Sequence, residues 1–342
     1  MNRLRIAVVG AGRLGKIHAR LLDGNEDVDL VAIVEPMHAT REALGHDFSC
    51  RIAESTGEVI HEIDAAVIAT PTMFHHRVGE ELLQNGIHVF VEKPITQTIH
   101  QAAELVEIAA ENRCVLQVGH VEQFNPVWLA ARKTISEPVL IHAQRCSDFP
   151  FRSVDVSVVH DLMIHDIELV LSIVKQPVKS ISASGFSCLT STEDFAQASV
   201  EFENGCTANF VASRISDAPT RKMEILQAGQ QVVLDFAART ATSREPHVRF
   251  LEFGGELDRC PPDRLMQVKD SVNGQWYQGV QLPIREDANP IADEHSDFME
   301  CIHQQRTPLV SGEQGRDALI LAEKIIAEIR RDGHGQQTRR AA

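Results

Sequence analysis

The chain has 342 residues, 43% of them hydrophobic, and a formal net charge of −15. That length supports two domains with substantial cores, and the acidic balance opposes general nucleic-acid binding, which needs a basic stripe. No run of about 18 consecutive apolar residues is present to cross a membrane, and the start lacks the basic, apolar and small-residue segments of a secretory leader, so a cytoplasmic protein is expected.

Leu4 to Val9 reads as a strand and runs straight into Gly10-Ala11-Gly12-Arg13-Leu14-Gly15. A helical run from Lys16 to Leu22 follows, then a second apolar strand, Leu30 to Val34, which ends on Glu35. Strand, glycine turn, helix, strand and acid at this spacing form a dinucleotide-binding fingerprint. Gly10 allows the tight turn, Gly12 lets the backbone approach a pyrophosphate, and Gly15 lets helix and sheet pack closely. The helix N-terminus offers unpaired N–H groups to the phosphates. Glu35 can accept from the adenosine ribose hydroxyls and would repel a 2′-phosphate, with Arg41 the nearest arginine, so NAD is expected over NADP.

Further strands are expected at Ala65–Ala69, Ile87–Val91 and Cys114–Val118, with helices at Phe74–Leu83 and Ile99–Glu111 between them. Such alternation implies a parallel sheet covered on both faces. Ligands bind such sheets beyond the carboxyl ends of the strands. Thr70-Pro71, Glu92-Lys93-Pro94 and Gly119-His120 all stand at those ends, which makes them candidates for one crevice.

The pattern changes after Glu122. Asn125-Pro126 opens a helix through Lys133, and Val139–Cys146 reads as a strand followed by a helix from Val156 to Val174. Strand-like runs succeed one another at Val178–Phe186, Ala196–Phe202, Thr207–Ser213, Lys222–Ala228 and Gln231–Phe236. Asn204-Gly205 marks a hairpin between two of them. Strands without intervening helices imply a mainly antiparallel sheet in an α+β domain with one open face. The stretch from Arg244 to Asn289 does not parse, except that Trp276-Tyr277 begins a strand. Helices at Ala292–Gln304 and Glu313–Arg331 close the fold. The expected division is 1–122 for an NAD-binding α/β Rossmann domain, 123–331 for a substrate-binding and oligomerisation domain, and 332–342 for a disordered tail.

Seven scattered cysteines and 16 histidines carry no disulfide framework and no recognised metal spacing, so no metal is expected. Lys93 could polarise a substrate hydroxyl or carry its proton. In the helix His160-Asp161-Leu162-Met163-Ile164-His165-Asp166-Ile167-Glu168, apolar Met163, Ile167, Val170, Leu171 and Val174 share one face. Asp161, His165, Glu168 and Ser172 form a polar stripe. Asp161 beside His165 could orient a general base, though the pattern equally fits a solvated polar face. Arg145 and Arg152 fit a diphosphate or ordinary surface ion pairs.

Gly10-Ala11-Gly12-Arg13-Leu14-Gly15, Thr70-Pro71-Thr72 with His75, Glu92-Lys93-Pro94, and Asp161 with His165 together resemble the glucose–fructose oxidoreductase/inositol dehydrogenase family, over nearly the whole chain. The resemblance implies NAD contacts by Gly10, Gly12, Arg13, Leu14, Gly15, Glu35, Thr70, Pro71, His75, Glu92 and Lys93. It also implies catalysis by Lys93 and His165 with support from Asp161, and assembly into a homodimer or homotetramer through the second sheet. Gly119 to Pro126, Phe151-Arg152-Ser153 and Asp161 to Ile167 resemble a narrower group, the bacterial UDP-N-acetylglucosamine 3-dehydrogenases. The chain departs from that group at Gln123, where arginine is frequent. This likeness implies oxidation of a sugar-nucleotide hydroxyl, as in amino-sugar and lipid A-type biosynthesis. Lys93, His120, Asn125, Arg145, Arg152 and His165 are then the substrate-binding candidates. Other sugars, inositols and carbonyl compounds are rival substrates, and a non-catalytic NAD-binding regulator is the rival of a different class.

Overall fold

The computed structural model describes residues 3–151, 154–248, 261–272 and 277–331. They form two compact units. The first comprises the chain up to Phe124 together with Ala288–Glu323; the second runs from Asn125 to Asp287 and resumes at Lys324.

The first unit holds a six-stranded, wholly parallel sheet in the order β3-β2-β1-β4-β5-β6. Its strands are β1 Leu4–Val9, β2 Val28–Val34, β3 Arg51–Ala53, β4 Ala65–Ile68, β5 His88–Glu92 and β6 Leu116–Gly119. Helices α1 Arg13–Asp23, α2 His38–Asp47, α3 His75–Gln84 and α4 Ile99–Glu111 connect them. Central strands such as β4 are buried at every residue, as a sheet packed on both faces requires.

Two late helices also belong here: α8 Pro290–Gln304 and the first part of α9 Gly312–Arg331. Phe298 and Met299 of α8 join the core of Leu4, Ile6, Val8 and Phe90 on one side of the sheet. Val310 and Leu319 join the other core, with Val89, Val91 and Val118. The expected domain division is therefore corrected. The first boundary falls at Phe124 rather than 122, and residues 288–323 return to the first unit because their apolar faces complete its two cores.

The second unit holds an eight-stranded sheet in the order β14-β13-β12-β11-β7-β10-β9-β8. Its members are β7 Pro138–Cys146, β8 Val178–Phe186, β9 Phe195–Phe202, β10 Thr207–Ser213, β11 Thr220–Gln227, β12 Gln230–Asp235, β13 Thr240–Pro246 and β14 Tyr277–Gln281. All neighbours are antiparallel except β10 with β7. Helices α5 Pro126–Ala131 and α6 Ile164–Val174 lie against this sheet, and α7 spans Pro262–Ser271. Burial alternates along β9, with Ala196, Ala198, Val200 and Phe202 inward and Gln197 outward, the pattern of a sheet with one covered face. Gly205, at φ +85°, turns β9 into β10 as the Asn204-Gly205 pair predicts.

No described helix is long and apolar enough to cross a membrane. Arg152, Trp276 and the tail expected at 332–342 lie outside the described residues.

Candidate active site

In the first unit the glycine turn has the geometry that the fingerprint requires. Gly10 sits at φ +97°, and a Cβ there would come within 2.8 Å of the Ala69 and Thr70 backbone. A Cβ on Gly15 would lie 1.8 Å from the Gly10 carbonyl oxygen, so only glycine lets α1 approach the turn this closely. Gly12 differs: a Cβ there meets nothing within 4 Å. It is the N-cap of α1, it lacks a side-chain cap, and the first turn of the helix carries no acid. The first turn of α1 thus has no side-chain cap and open space beside Gly12, where a pyrophosphate can be bound. Arg13 and Leu14 are exposed beside it.

Glu35 is buried at the end of β2. Its Oε2 accepts from the Ala11 N–H at 3.0 Å and its Oε1 from the Met37 N–H at 3.0 Å. The carboxylate therefore braces the glycine turn as well as standing where a ribose would lie. Arg41 donates to the carbonyls of Glu35 and Pro36 and pairs with Glu54 at 2.8 Å. These bonds tie its guanidinium to the loop, away from the role of a 2′-phosphate clamp. The cradle left at Gly12 and the acid at Glu35 fit NAD.

The carboxyl ends of β4, β5 and β6 carry the other candidates. Sheet register pairs Ile68 with Val91, and Glu92 with Gly119. Lys93 and His120 are the next residues and emerge side by side. His120 is fully buried; burial, helped by the Lys93 charge, drives its pKa down to about 3, so it is neutral at physiological pH. His75 is buried between two carbonyls, Nδ1 to Pro94 at 3.0 Å and Nε2 to Thr70 at 2.9 Å. Burial holds its pKa below the usual value, so the neutral ring donates to one carbonyl at a time. It ties the Thr70-Pro71 turn to the Lys93–Pro94 turn, whose peptide is cis. His75 is thus placed as a brace between two strand ends, and Thr70 and Pro71 follow β4 directly.

The helix expected over Val156–Val174 is divided. Val159–Met163 forms a π turn, and α6 begins at Ile164. The wider π turn, a form often found at functional sites, replaces the regular 3.6-residue spacing assumed for Asp161 and His165. Both are half-buried, whereas Glu168, expected on the same exposed stripe, is buried. Asp166 is buried too and makes a bidentate pair with Arg145 of β7, at 2.7 and 3.1 Å. With both side chains only 4% exposed, the Arg145 charge is already matched, and the diphosphate role expected for it loses its support. Asn125 is the N-cap of α5: its Oδ1 accepts from the Val127 N–H at 3.0 Å. That helix-capping duty accounts for Asn125 without a substrate.

Two polar clusters escaped the sequence reading. Fully buried Arg214 binds Asp194, Thr190, Thr192 and the Val156 carbonyl, and so anchors the chain entering the π turn. In the first unit, His18 of α1 bonds His295 of α8 at 2.7 Å and Glu92 at 2.8 Å, with Glu294 beside them. The available signal was positional: Glu294 and His295 stand at helical spacing from Phe298 and Met299, where apolar residues are expected.

Comparison with known proteins accords with this architecture. Residues 4–120 match the profile described as "Oxidoreductase family, NAD-binding Rossmann fold", and residues 129–229 match the GFO/IDH/MocA C-terminal domain. UDP-N-acetylglucosamine 3-dehydrogenase of Acidithiobacillus ferrooxidans is 30% identical over 327 residues, covering 95% of this chain and 97% of that protein. This chain belongs to the GFO/IDH/MocA oxidoreductase family. The scyllo-inositol 2-dehydrogenase (NAD(+)) of Bacillus subtilis is 25% identical over 95% of this chain and 93% of that protein. A solved structure of the A. ferrooxidans enzyme superposes with a TM-score of 0.86 at 26% identity, over 98% of this chain and all of that one. The chain is therefore an NAD-binding oxidoreductase of the sugar dehydrogenase type.

Proposed function

We propose that this protein oxidises the 3-hydroxyl of UDP-N-acetylglucosamine to a ketone with NAD. The observation that carries the reading is the end-to-end relationship to the A. ferrooxidans 3-dehydrogenase, 30% over 95% of the chain. The B. subtilis inositol enzyme shares 25% over a similar span. An inositol 2-dehydrogenase of Rhizobium meliloti reaches 30% only over 53% of the chain. The higher identity over the whole length supports the sugar-nucleotide reading over the inositol one.

NAD, held at the Gly10–Gly15 turn and Glu35, would supply the hydride acceptor for the sugar carbon. Lys93 hydrogen-bonds the reacting hydroxyl and favours its alkoxide. His165 takes the hydroxyl proton as general base, and Asp161 supports the ring. Neutral His120 beside Lys93 adds a polar contact that does not compete for the proton. Glu35 sets the preference for NAD over NADP through charge repulsion. A 3-keto sugar nucleotide is a fit precursor for a 3-amino sugar, the use expected in lipid A-type biosynthesis. The protein acts in the cytoplasm as a homodimer or homotetramer whose second copy covers the open sheet face.

The test is NADH formation with a panel of UDP-sugars, free sugars and inositols. UDP-N-acetylglucosamine should be the preferred substrate, and His165→Ala should lower its turnover by roughly 10²-fold or more. Activity confined to free polyols would overturn the sugar-nucleotide reading.

A further inference from the structure

The cluster behind Lys93 poses a problem of charge. Glu294 is fully buried, and neither of its carboxylate oxygens has a hydrogen-bond partner among the described residues. One oxygen of Glu294, one of Glu92 and a nitrogen of His18 all lie within 4.8 Å of one another. Phe90 and Phe298 wall the cluster, with ring centroids 5.5 Å from His18 to Phe90 and 6.0 Å between the phenylalanines. Glu92 is already supplied with donors. Its Oε1 meets His18 Nε2 at 2.8 Å, and its Oε2 accepts the Lys93 N–H at 3.2 Å. An ionised Glu294 would therefore be a second buried negative charge with no donor of its own, an arrangement that proteins avoid. A protonated Glu294 removes that charge and brings a donor to a carboxylate that can accept it.

We propose that Glu294 is a positioning residue that holds a proton and shares it with Glu92, so that the buried pair, backed by His18 and His295, fixes the Lys93 end of β5. Its consequence for turnover rests on the catalytic role proposed for Lys93.

The surrounding groups are consistent with one shared proton. His295 is kept neutral, its pKa near 3, first by burial and then by the His18 charge. Neutral His295 shares a hydrogen bond with His18 Nδ1 while His18 Nε2 meets Glu92, so neither ring leaves a donor for Glu294. Burial first, and the Glu92 charge second, hold the Glu294 carboxyl well above the usual carboxylate range. Polar groups on the packed elements include Gln117 of β6, which donates to the Glu294 carbonyl at 2.8 Å, Glu122 on the turn against α8, and His120 and Lys93 at the strand ends. Gly119 belongs to the same device, since a Cβ there would press on the Glu92 carboxylate at 3.2 Å. A cation held by His18, Glu92 and Glu294 is the competing account. It would have to break the His18–Glu92 bond and reach a site where His18 and Glu294 are wholly closed to solvent.

The experiment combines infrared spectroscopy with two substitutions in the full chain. A protonated-carboxyl C=O stretch should be present near neutral pH and absent in Glu294→Gln. Glu294→Leu should lower kcat about tenfold or more with a smaller rise in the sugar KM, because the lysine end is displaced while the other groups proposed to hold the sugar stay in place. Glu294→Gln, which keeps a donor, should restore most of that loss. The melting temperature of Glu294→Gln should also gain on the parent as pH rises. A carboxyl whose folded pKa is raised contributes stability below its unfolded value near 4.5, and loses it as pH climbs through the folded value. An absent carboxyl band, a glutamine no better than leucine, or an equivalent of zinc that leaves with Glu294 would each overturn the proposal. If no sugar is oxidised, the substrate reading fails, while the infrared and melting results still decide this one.

Discussion

Replacing Gly12 and Gly15 by alanine should separate cofactor binding from folding. At Gly15 the new methyl carbon would sit 1.8 Å from the Gly10 oxygen and 2.9 Å from its carbon. Ordinary contact is about 3.5 Å, so the turn or the helix must retreat by more than about 1.5 Å. Retreat of the turn is opposed on its far side. Gly10 donates to the Val34 carbonyl at 2.8 Å and abuts the Ala69–Thr70 backbone. The cost should reach or exceed the upper end of overpacking penalties, about 3 kcal/mol, or a fall of roughly 6–12 °C in melting temperature for a domain of this size. Gly12→Ala meets no neighbour and keeps an ordinary φ of −66°. Its folding penalty is that of a poorer N-cap, about 1 kcal/mol or less. The methyl does, however, occupy the approach to the N-terminus of α1, and NAD affinity should fall about tenfold or more, on the order of 1.4 kcal/mol. Differential scanning fluorimetry and titration calorimetry with NAD measure the two quantities. Wild-type affinity in Gly12→Ala would show that the pyrophosphate does not cross Gly12. An undisturbed melting temperature in Gly15→Ala would refute the packing argument.

Asp166→Leu should cost about 3–5 kcal/mol in urea unfolding by removing the carboxylate that makes the bidentate pair with buried Arg145. The double change Arg145→Met with Asp166→Leu should cost less than that single change; if it costs more, the pair is not chiefly electrostatic. Glu35→Ala should bring the kcat/KM values for NAD and NADP closer together, and an unaltered ratio would discredit the charge argument. Asp194 governs a pH effect. Burial alone would raise its pKa, but the Leu189 N–H, the Arg214 guanidinium and the N–H groups of Thr190 and Cys188 outweigh that and hold it near 2. A depressed carboxylate pKa stabilises above the unfolded value and loses that contribution as pH falls through the folded one. Asp194→Asn should therefore be less stable at pH 7 and show a shallower stability loss between about pH 4 and 2.

The elements legible in the sequence were those with strong periodicity. The glycine turn lies where its spacing places it, α4 spans Ile99–Glu111 as read, and β8 and β10 match residue for residue. Helix α2 was missed because Leu44 is its one buried residue, which leaves almost no apolar face to detect. Strand β3 has three residues, too few for a period, and β13, Thr240–Pro246, is polar enough to read as loop. The return of α8 and the first part of α9 to the first unit depends on long-range packing that no local pattern encodes.

The candidate site divides in the same way. Positions fixed by a turn or a strand end, such as Gly10, Gly12, Lys93 and His120, were readable because the backbone alone places them. The structural duties of Arg145 and Asn125 were not legible because the partners seen here, Asp166 and the Val127 N–H, are supplied by folding. The π turn at Val159–Met163 breaks the periodicity on which the Asp161–His165 argument rested. The His18–Glu92–Glu294–His295 cluster joins residues far apart in the chain and has no spacing of its own to recognise.

The central claim is that the carbon-bound hydrogen at position 3 of UDP-N-acetylglucosamine passes to the nicotinamide. Incubating the protein with NAD and substrate deuterated at that carbon, then weighing the reduced cofactor by mass spectrometry, tests it directly. The account predicts one deuterium in each NADH formed and a 3-keto sugar nucleotide as the other product. NADH formed without deuterium, or none formed while an inositol is oxidised readily, would contradict it.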